Sequence, residues 1–329
     1  MGRKRKSGFK KAALLVFGLV ILGTALYSIL RHTPPGRGES AADVSPPTAS
    51  PIRAEARPSA QNTIAPPAER SKSEGSSGAK SGDFAEVFPD RDTGVGALHS
   101  YQSDTVRIAV AQVSQDNVTY YIADIWILNL RSLATAFAND RFAHGAQNVR
   151  SMSKHNNAIL AISGDYCSAR EKGIVIRNGV LYRDSMEGDV CVLYQDGVME
   201  TYAQGAFDKD EAIGRGAYQA WCFGPRLLDD DAQTMTKFNS TVLRENPRSA
   251  IGYYEPGHYC FITVDGRQED YSRGMTMKEL SNLFFMLGCK SAYNLDGGQT
   301  AIMVFQDELV NQPYQGGRSS GDIIYIREE

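Results

Sequence analysis

Short apolar runs, rich in β-branched and aromatic residues and bounded by Gly, Asn or Asp, recur from about residue 105 to the end of the chain. Such runs are typical of β-strands. Asn178-Gly179 and Asp196-Gly197 stand between strand-like residues and therefore predict hairpin turns. We predict strands within residues 105–113, 118–129, 158–162, 173–176, 190–194, 259–264, 300–305 and 323–326.

One helix is marked at both ends by its sequence. Thr276 and Glu279 match a capping box, and Gly288 provides a stop at the C-terminus. The apolar residues between them recur on one helical face, at Leu280, Leu283, Phe284 and Leu287. A second helix is predicted around residues 151–157. Because strands outnumber helices and do not alternate with them, we predict an α+β fold, a single domain with a mixed, largely antiparallel sheet and a few helices.

A charge-free run from residue 12 to residue 30 follows six Lys and Arg residues. A helix of this length would extend roughly 28 Å, close to the thickness of the hydrocarbon core of a bilayer. We predict a basic cytoplasmic tail (1–11), a transmembrane anchor (12–30) and hence a single-pass membrane protein with an extracytoplasmic C-terminal domain. A cleaved signal peptide is the alternative, although its apolar core is usually shorter and no clear Ala-x-Ala site follows.

Residues 31–82 are rich in Pro, Ser, Ala, Gly and charge, and eight of the 13 prolines lie between Pro34 and Pro67. Because such a segment buries too little apolar surface to offset the entropy of ordering, we predict a disordered linker. Residues 83–329 suffice for one large domain. They hold 22 of the 35 Lys and Arg residues and 33 of the 38 Asp and Glu residues, and this net charge of −11 argues against nucleic acid as a partner.

Five cysteines lie within the predicted domain, and none of them forms a CxxC pair or a zinc-finger spacing. An extracytoplasmic domain could contain one or two disulfides, and the odd number would leave at least one thiol. Buried free cysteines are the alternative. The histidines show no HExxH spacing, which disfavours zinc, and no cofactor is expected to be required.

Two predicted strand ends carry a carboxylate beside small residues. Residues 294–300 read NLDGGQT, in which Gly297 and Gly298 would let backbone N–H groups approach a ligand beside Asn294 and Asp296. Asp165 ends another apolar run in a similar way. The two carboxylates and nearby carbonyls would suit Ca²⁺ or Mg²⁺ as an optional metal. An ordinary tight turn is the alternative in both segments.

Three arginines stand close to predicted strand ends or glycine turns. Arg248 follows Asn246 closely, Arg267 follows Asp265, and Arg318 comes after two glycines. Guanidinium groups bind phosphate oxygens in a bidentate manner, which makes these residues candidates for a phosphate site. Exposed ion pairs at the surface are the alternative for each arginine.

Six motifs occur in order between residues 158 and 326: AISGDY, FGPRLL, NPRSAIG, VDGR, the segment from Ser272 to Leu280, and NLDGGQT. In their order and spacing the chain resembles the phosphodiester glycosidase family, which includes bacterial exopolysaccharide-associated proteins. The resemblance implies hydrolysis of a sugar-1-phosphodiester, in a cell-surface or exported glycan, to a free sugar and a phosphomonoester. It also implies a site lined by Asp165, Asn246, Arg248, Asp265, Arg267, Asn294, Asp296, Gly297 and Gly298.

The chemistry of a bond between an anomeric carbon and phosphate assigns roles to some of these residues. We predict Asp296 as the first catalytic carboxylate and Asp165 as the second, to orient or deprotonate water or to stabilise a cationic sugar. Arg248 and Arg267 would hold the departing phosphate, helped by backbone N–H groups of the paired glycines.

The chain departs from the family pattern at two places. The family usually has Asn-Gly where this chain has Ser163-Gly164, and Gly-Gly-Gly-Ser-Ser where residues 297–301 include Gln299. These departures keep open a second hypothesis, a non-catalytic glycan-binding or exopolysaccharide-assembly protein with the same fold. A phosphodiesterase that cuts on the other side of the phosphorus is a third.

Overall fold

The computed structural model describes residues 97–329 of the chain. The predicted basic tail, transmembrane anchor and linker, residues 1–82, lie outside this range, and the domain boundaries stay predictions. Among the described residues, no helix is both long and apolar enough to cross a bilayer. The helices of the described range are α1 (Val149–His155), α2 (Lys209–Gly214) and α3 (Met277–Leu287).

The strands of the described range fall into three sheets. Their bounds are β1 (His99–Gln102), β2 (Val106–Gln115), β3 (Val118–Ile127), β4 (Leu133–Phe137), β5 (Leu160–Ser163), β6 (Val175–Arg177), β7 (Val180–Arg183), β8 (Val190–Tyr194), β9 (Met199–Tyr202), β10 (Ala217–Trp221), β11 (Arg248–Glu255), β12 (His258–Val264), β13 (Ser291–Leu295), β14 (Met303–Phe305), β15 (Glu308–Leu309) and β16 (Asp322–Ile326). The sheet orders are β1-β2-β3-β12-β11-β13, β7-β6-β10-β8-β9 and β15-β14-β5-β16-β4.

Every strand pairing within residues 97–329 is antiparallel. The prediction of a sheet-rich, largely antiparallel α+β domain with few helices is therefore confirmed. The strands form three sheets rather than a single one. One apolar core contains residues from all three sheets, and it includes Ile125, Leu193 and Ile324.

Each sheet also carries a helix on its outer face. Helix α3 packs on the six-stranded sheet, α1 on the sheet that contains β5, and α2 on the sheet that contains β8. Because the central strands are covered on both faces, they are buried without the inside–outside alternation of a half-exposed strand. Phe284 of α3 lies so close to Gly252 of β11 that a Cβ there would stand 2.7 Å from its ring.

Local sequence signals mark their elements correctly. Each of the eight predicted strand runs contains a strand, and the two predicted hairpin turns join β6 to β7 and β8 to β9. The capping box at Thr276 and Glu279 is present, and Gly288 ends α3 in the left-handed region. Helix α1 begins two residues before the predicted start, with Asn148 as its N-cap.

Other elements were not predicted. Helix α2 was missed, and so were β1, β4, β10, β11, β13 and β15. Strand β11 contains Ser249 and Gly252, and β13 reads SAYNL, so neither shows a continuous apolar run. All five cysteines are buried free thiols, and the sulfur atoms of Cys260 and Cys289 lie 3.7 Å apart.

Candidate active site

A cavity of about 1000 Å³ lies where the end of β13, the beginning of β11 and the loop between β10 and β11 meet. The structure brings seven of the ten predicted site residues to its wall. They come from three separate motifs between residues 246 and 298 of the chain. The seven residues are Asn246, Arg248, Arg267, Asn294, Asp296, Gly297 and Gly298.

Two crossing loops form the floor of this cavity. Asp296 follows β13, and its backbone N–H donates to the carbonyl of Gly164 at 3.0 Å. Gly297 passes so close to the other loop that a Cβ would stand 2.6 Å from the carbonyl oxygen of Pro247. The N–H of Gly298 donates to that same oxygen at 2.9 Å. The glycines are therefore needed for close backbone packing, and the predicted role of the Gly298 N–H as a phosphate donor is corrected.

The carboxylate of Asp296 faces the cavity from this floor, with 7% of the residue exposed. Burial raises its pKa to about 6, against the opposing influence of Thr300 and Arg318. One guanidinium nitrogen of Arg318 lies 3.9 Å from its Oδ2. A carboxylate whose pKa lies near neutrality and which lines a cavity has the properties of a general acid or base.

Arg248 presents a buried positive charge on the same wall. Its Nε donates to the Met275 carbonyl at 3.1 Å and its Nη2 to the Arg244 carbonyl at 2.6 Å. Within the described part of the chain, no carboxylate lies within the 4.0 Å of an ion pair. Burial, and next the charge of Arg267, lowers the pKa of the guanidinium to about 10. The group thus remains cationic at neutral pH without a counter-charge, as an anion-binding site requires.

Arg267 and Asn246 extend this positive region toward solvent. The Asn246 Oδ1 accepts from Nε and Nη2 of Arg267, at 3.1 and 2.8 Å. Arg267 has a left-handed backbone, with φ of 61°, and its guanidinium lies 5.6 Å from the ring centroid of Tyr314. The amide of Asn246 therefore orients an exposed guanidinium beside the buried one.

Asn294 reaches the cavity from within β13. Its Nδ2 donates to the Gly224 carbonyl at 2.8 Å, so this side chain ties the strand to the loop after β10. The Oδ1 of Asn294 is buried and has no hydrogen-bond partner among residues 97–329. A buried acceptor without a partner is costly in a folded protein.

Asp165 does not line the cavity. It is fully buried, its Oδ2 accepts from the Cys222 N–H at 2.9 Å, and it lies 3.4 Å from Nη2 of Arg177. The same guanidinium is 2.9 Å from Asp322, whose pKa is raised by burial. The expectation that Asp165 faces the substrate is thereby corrected: its carboxylate helps neutralise a buried arginine and holds the end of β10.

Asp265 also turns away from the cavity, in contrast to the expectation from its motif. Its carboxylate accepts from Asn311 Nδ2 at 2.7 Å, from the Gln312 N–H at 2.9 Å and from the Tyr271 hydroxyl at 2.9 Å. Burial raises the pKa of this group. Asp265 therefore fastens the segment that follows β15 to the end of β12.

Arg318 lines a second, smaller cavity of about 340 Å³. Tyr166, Ser168 and Gly321 contribute to the same wall. Asp296 lines both cavities, so the two spaces adjoin at this residue.

Several residues at the large cavity were not predicted from the sequence. Arg170 and Lys172 add positive charge, and Glu171 and Glu187 add an equal negative charge. The Arg170 guanidinium lies 5.0 Å from the ring centroid of Phe223. Asp189 accepts from the Gln204 N–H at 3.0 Å and from the Arg226 N–H at 3.1 Å, which fixes the cavity wall. Of these cavity residues only Phe223 lies in one of the six motifs, FGPRLL; Arg170, Lys172 and Asp189 stand in none of them.

Metal binding finds no further support in the side-chain geometry. Within residues 97–329 no group of three or more His, Cys, Asp or Glu side chains is arranged to hold a metal ion. The Ca²⁺ or Mg²⁺ site stays a prediction.

Comparison with known proteins places this geometry in a family. Residues 156–327 match the phosphodiester glycosidase family. The chain is 33% identical, over 181 residues, to the SPbeta prophage-derived uncharacterized protein YomE of Bacillus subtilis strain 168. That alignment covers 52% of this chain and 28% of the relative.

A second relative is the N-acetylglucosamine-1-phosphodiester alpha-N-acetylglucosaminidase of Bos taurus, at 30% identity over 84 residues. These residues are 26% of this chain and 16% of the bovine protein. The chain thus spans less than a third of the length of either curated relative that it matches.

Among solved structures, the catalytic domain of the zebrafish N-acetylglucosamine-1-phosphodiester alpha-N-acetylglucosaminidase, auto-inhibited by its pro-peptide, superimposes with a TM-score of 0.56. The match has 19% identity and covers 71% of this chain and 87% of that domain, so the two share a fold. Because the family match extends over more than half of the chain and includes the loops of the large cavity, this protein belongs to the phosphodiester glycosidase family.

Proposed function

We propose that the protein is a hydrolase that cleaves the bond between the anomeric carbon and the phosphate oxygen of a sugar-1-phosphodiester. The observation that carries the proposal is that Arg248 and Asp296 line the same cavity. Arg248 is a buried cation without a carboxylate partner in the described residues, and Asp296 is a carboxylate whose pKa is raised. A sugar-1-phosphodiester supplies an anion that binds to Arg248 and an anomeric carbon that reacts beside Asp296.

Arg248 binds the phosphate in this proposal. Its guanidinium is fixed by the carbonyls of Met275 and Arg244, so it needs no reorganisation when the anion arrives. Arg267 adds a second positive charge from the solvent side, oriented by Asn246. Together they stabilise the charge that develops on the phosphate oxygens as the glycosidic bond breaks.

Asp296 acts on the sugar side of the same bond. Above its pKa of about 6 the carboxylate is ionised, so it can stabilise an oxocarbenium-like sugar or accept a proton from attacking water. The bond from the anomeric carbon to the phosphate oxygen breaks, and the electron pair leaves with the phosphate. Water adds to the carbon and loses a proton, giving a free sugar and a phosphomonoester.

The two departures from the family pattern leave this arrangement intact. The Ser163 hydroxyl is buried beneath the floor, 2.9 Å from the Ser249 hydroxyl and 3.3 Å from the Asp296 carbonyl. Gln299 contributes its backbone carbonyl to the Arg318 N–H at 2.9 Å, and its side chain is not among those that line the large cavity. Ser163 and Gln299 therefore hold the loops of the site in place, and neither replaces a group that faces the substrate.

The purified full-length protein and its Asp296→Asn variant test the activity. We expect the wild type to release sugar from a sugar-1-phosphate methyl ester or a UDP-sugar, and the variant to fold but show no turnover. Asp270→Asn, at an exposed position, is the matched control and should retain the wild-type rate. Turnover by Asp296→Asn at the wild-type rate would refute the assignment.

Product analysis separates the competing functions. A hydrolase of the proposed class yields free sugar and phosphate on the aglycone, whereas a phosphodiesterase that cuts on the other side of the phosphorus leaves phosphate on the sugar. A glycan-binding protein would bind the methyl ester without releasing either product.

We propose further that the domain acts on a cell-surface or exported glycan while anchored in a membrane. The support is the charge-free run at residues 12–30 and the six basic residues before it. Alkaline extraction of membranes should leave the protein in the pellet, and protease added from outside should digest the domain. Release of the protein by alkali, or protection of the domain in intact cells, would contradict this location.

A further inference from the structure

Asp296 lies at the boundary between two cavities of unequal size. The larger, of about 1000 Å³, and the smaller, of about 340 Å³, share this residue, and its Oδ2 lies 3.9 Å from Arg318 of the smaller one. A substrate whose reacting bond lies at Asp296 therefore has room on both sides, and each cavity receives a different part of it. We refer to them below as the large and small chambers.

The two chambers differ in the charge that they offer. The large chamber holds Arg248, which is 3% exposed and without a carboxylate in the described range, together with Arg267. The cation of the small chamber is Arg318, whose side chain is 52% exposed and already lies 3.9 Å from Asp296. A phosphate is therefore held more strongly in the large chamber.

The small chamber has the features of a sugar site. The hydroxyl of Ser168 is buried and lacks a hydrogen-bond partner among residues 97–329. It lies against Gly321, where a Cβ would stand 2.3 Å from the oxygen, so the glycine leaves room for this group. Tyr166 is 37% exposed, and its ring stands nearly perpendicular to that of Phe223, at 6.3 Å and 84°. Aromatic faces and hydroxyl groups are suited to the apolar face and hydroxyls of a sugar.

We infer that the small chamber binds the sugar and the large chamber binds the phosphate with its aglycone, so that the scissile bond crosses Asp296. The inference deepens the proposed function and rests on it. Residues of the small chamber then determine which sugar is accepted, and residues of the large chamber determine which aglycone. Because the large chamber has about three times the volume, bulky aglycones are accepted more readily than bulky sugars.

Two substitutions at exposed chamber walls test this orientation. Ala146 lines the small chamber and Val242, 49% exposed, lines the large one, so neither change disturbs the core. Ala146→Leu should lower kcat/KM about tenfold for both the methyl ester of N-acetylglucosamine 1-phosphate and UDP-N-acetylglucosamine. Val242→Trp should lower it by a similar factor for the UDP-sugar alone. The reverse pattern would overturn the inference.

Binding measurements on the full-length protein separate a wrong orientation from a wrong function. Inorganic phosphate and free N-acetylglucosamine should bind together, as measured by calorimetry. Ala146→Leu should weaken binding of the sugar about tenfold and leave that of phosphate unchanged. If the protein turns over neither ester but binds both probes in this pattern, the proposed function fails and the division of the chambers holds. Binding of neither probe, or loss of phosphate binding in Ala146→Leu, overturns the division.

Discussion

Two arginines of this domain are equally buried, yet their surroundings give them opposite properties. Arg177 is 2% exposed and lies 2.9 Å from Asp322 and 3.4 Å from Asp165. Arg248 is 3% exposed and is held by two backbone carbonyls. Burial lowers the pKa of both guanidinium groups, but at Arg177 the charges of Asp322 and of other neighbours outweigh it and raise the pKa.

The difference between Arg177 and Arg248 shows that a buried positive charge can serve either the structure of the protein or the binding of a ligand. At Arg177 two carboxylates compensate the charge within the protein, so the cluster joins β6, β16 and the end of β5. At Arg248 the charge is compensated by no carboxylate in the described residues, and it faces a cavity. The first arrangement makes the fold depend on both partners being present, and the second leaves a positive charge to which an external anion can bind.

The largest expected effect is on stability, at Arg177. Arg177→Met leaves Asp165 and Asp322 buried without their partner, which should cost about 3–5 kcal/mol of the free energy of unfolding. Denaturation in urea measures this cost. Arg248→Met is the matched control, and its free energy of unfolding should change by less than about 1 kcal/mol because it removes an uncompensated charge. Equal losses in both variants would contradict the comparison.

A large effect on activity is expected at Arg248. Arg248→Met should lower kcat by about 10²–10³-fold, the usual cost of losing one charged group that stabilises a transition state. Inorganic phosphate should raise the melting temperature of the wild type and not that of the variant, because a ligand stabilises only the state that binds it. An unchanged response to phosphate would show that the anion binds elsewhere.

A smaller effect concerns pH, through Asp296. Its ionised form is the active one in the proposed mechanism, and its pKa is about 6. The kcat/KM should therefore rise about tenfold per pH unit below pH 6 and become constant above it. A pH–rate profile measures this, with a substrate whose phosphate does not titrate in the range. If kcat/KM instead falls as the pH rises through 6, the protonated form of Asp296 is the active one, and Asp296 acts as a general acid.

The smallest effect is expected at the exposed edge of the phosphate site. Asn246→Ala removes the acceptor that orients Arg267 and should raise KM about two- to fivefold, because exposed charges contribute little. The value of kcat should change less, since the buried guanidinium of Arg248 remains. Added salt should reduce the difference between variant and wild type. A loss of kcat as large as that of Arg248→Met would show that the exposed arginine carries the catalytic charge.

Much of the local structure could be predicted from the sequence, because its causes lie within a few residues. The hairpin at Asn178-Gly179 and the capping box at Thr276 depend on contacts between near neighbours in the chain. Strand β11 was missed because Gly252 interrupts its pattern, and the reason for that glycine is Phe284, which arrives from a helix more than thirty residues later.

The candidate active site likewise combines features that the local sequence predicts with features that depend on distant residues. Asp165, Asp265 and Asp296 all follow apolar strands, and the sequence predicted all three at the site, with Asp296 as the first catalytic carboxylate and Asp165 as the second. The motifs by themselves identified seven of the residues that line the cavity, including Arg248 and Asp296.

Only the tertiary structure decided which carboxylates face the cavity. Asp165 meets Arg177 and Cys222, Asp265 meets Asn311 and Gln312, and Asp296 alone of the three carboxylates lines the cavity. The reason is physical: a residue type and a turn are properties of neighbouring residues, whereas burial, counter-charge and pKa depend on groups that the fold brings from distant parts of the chain.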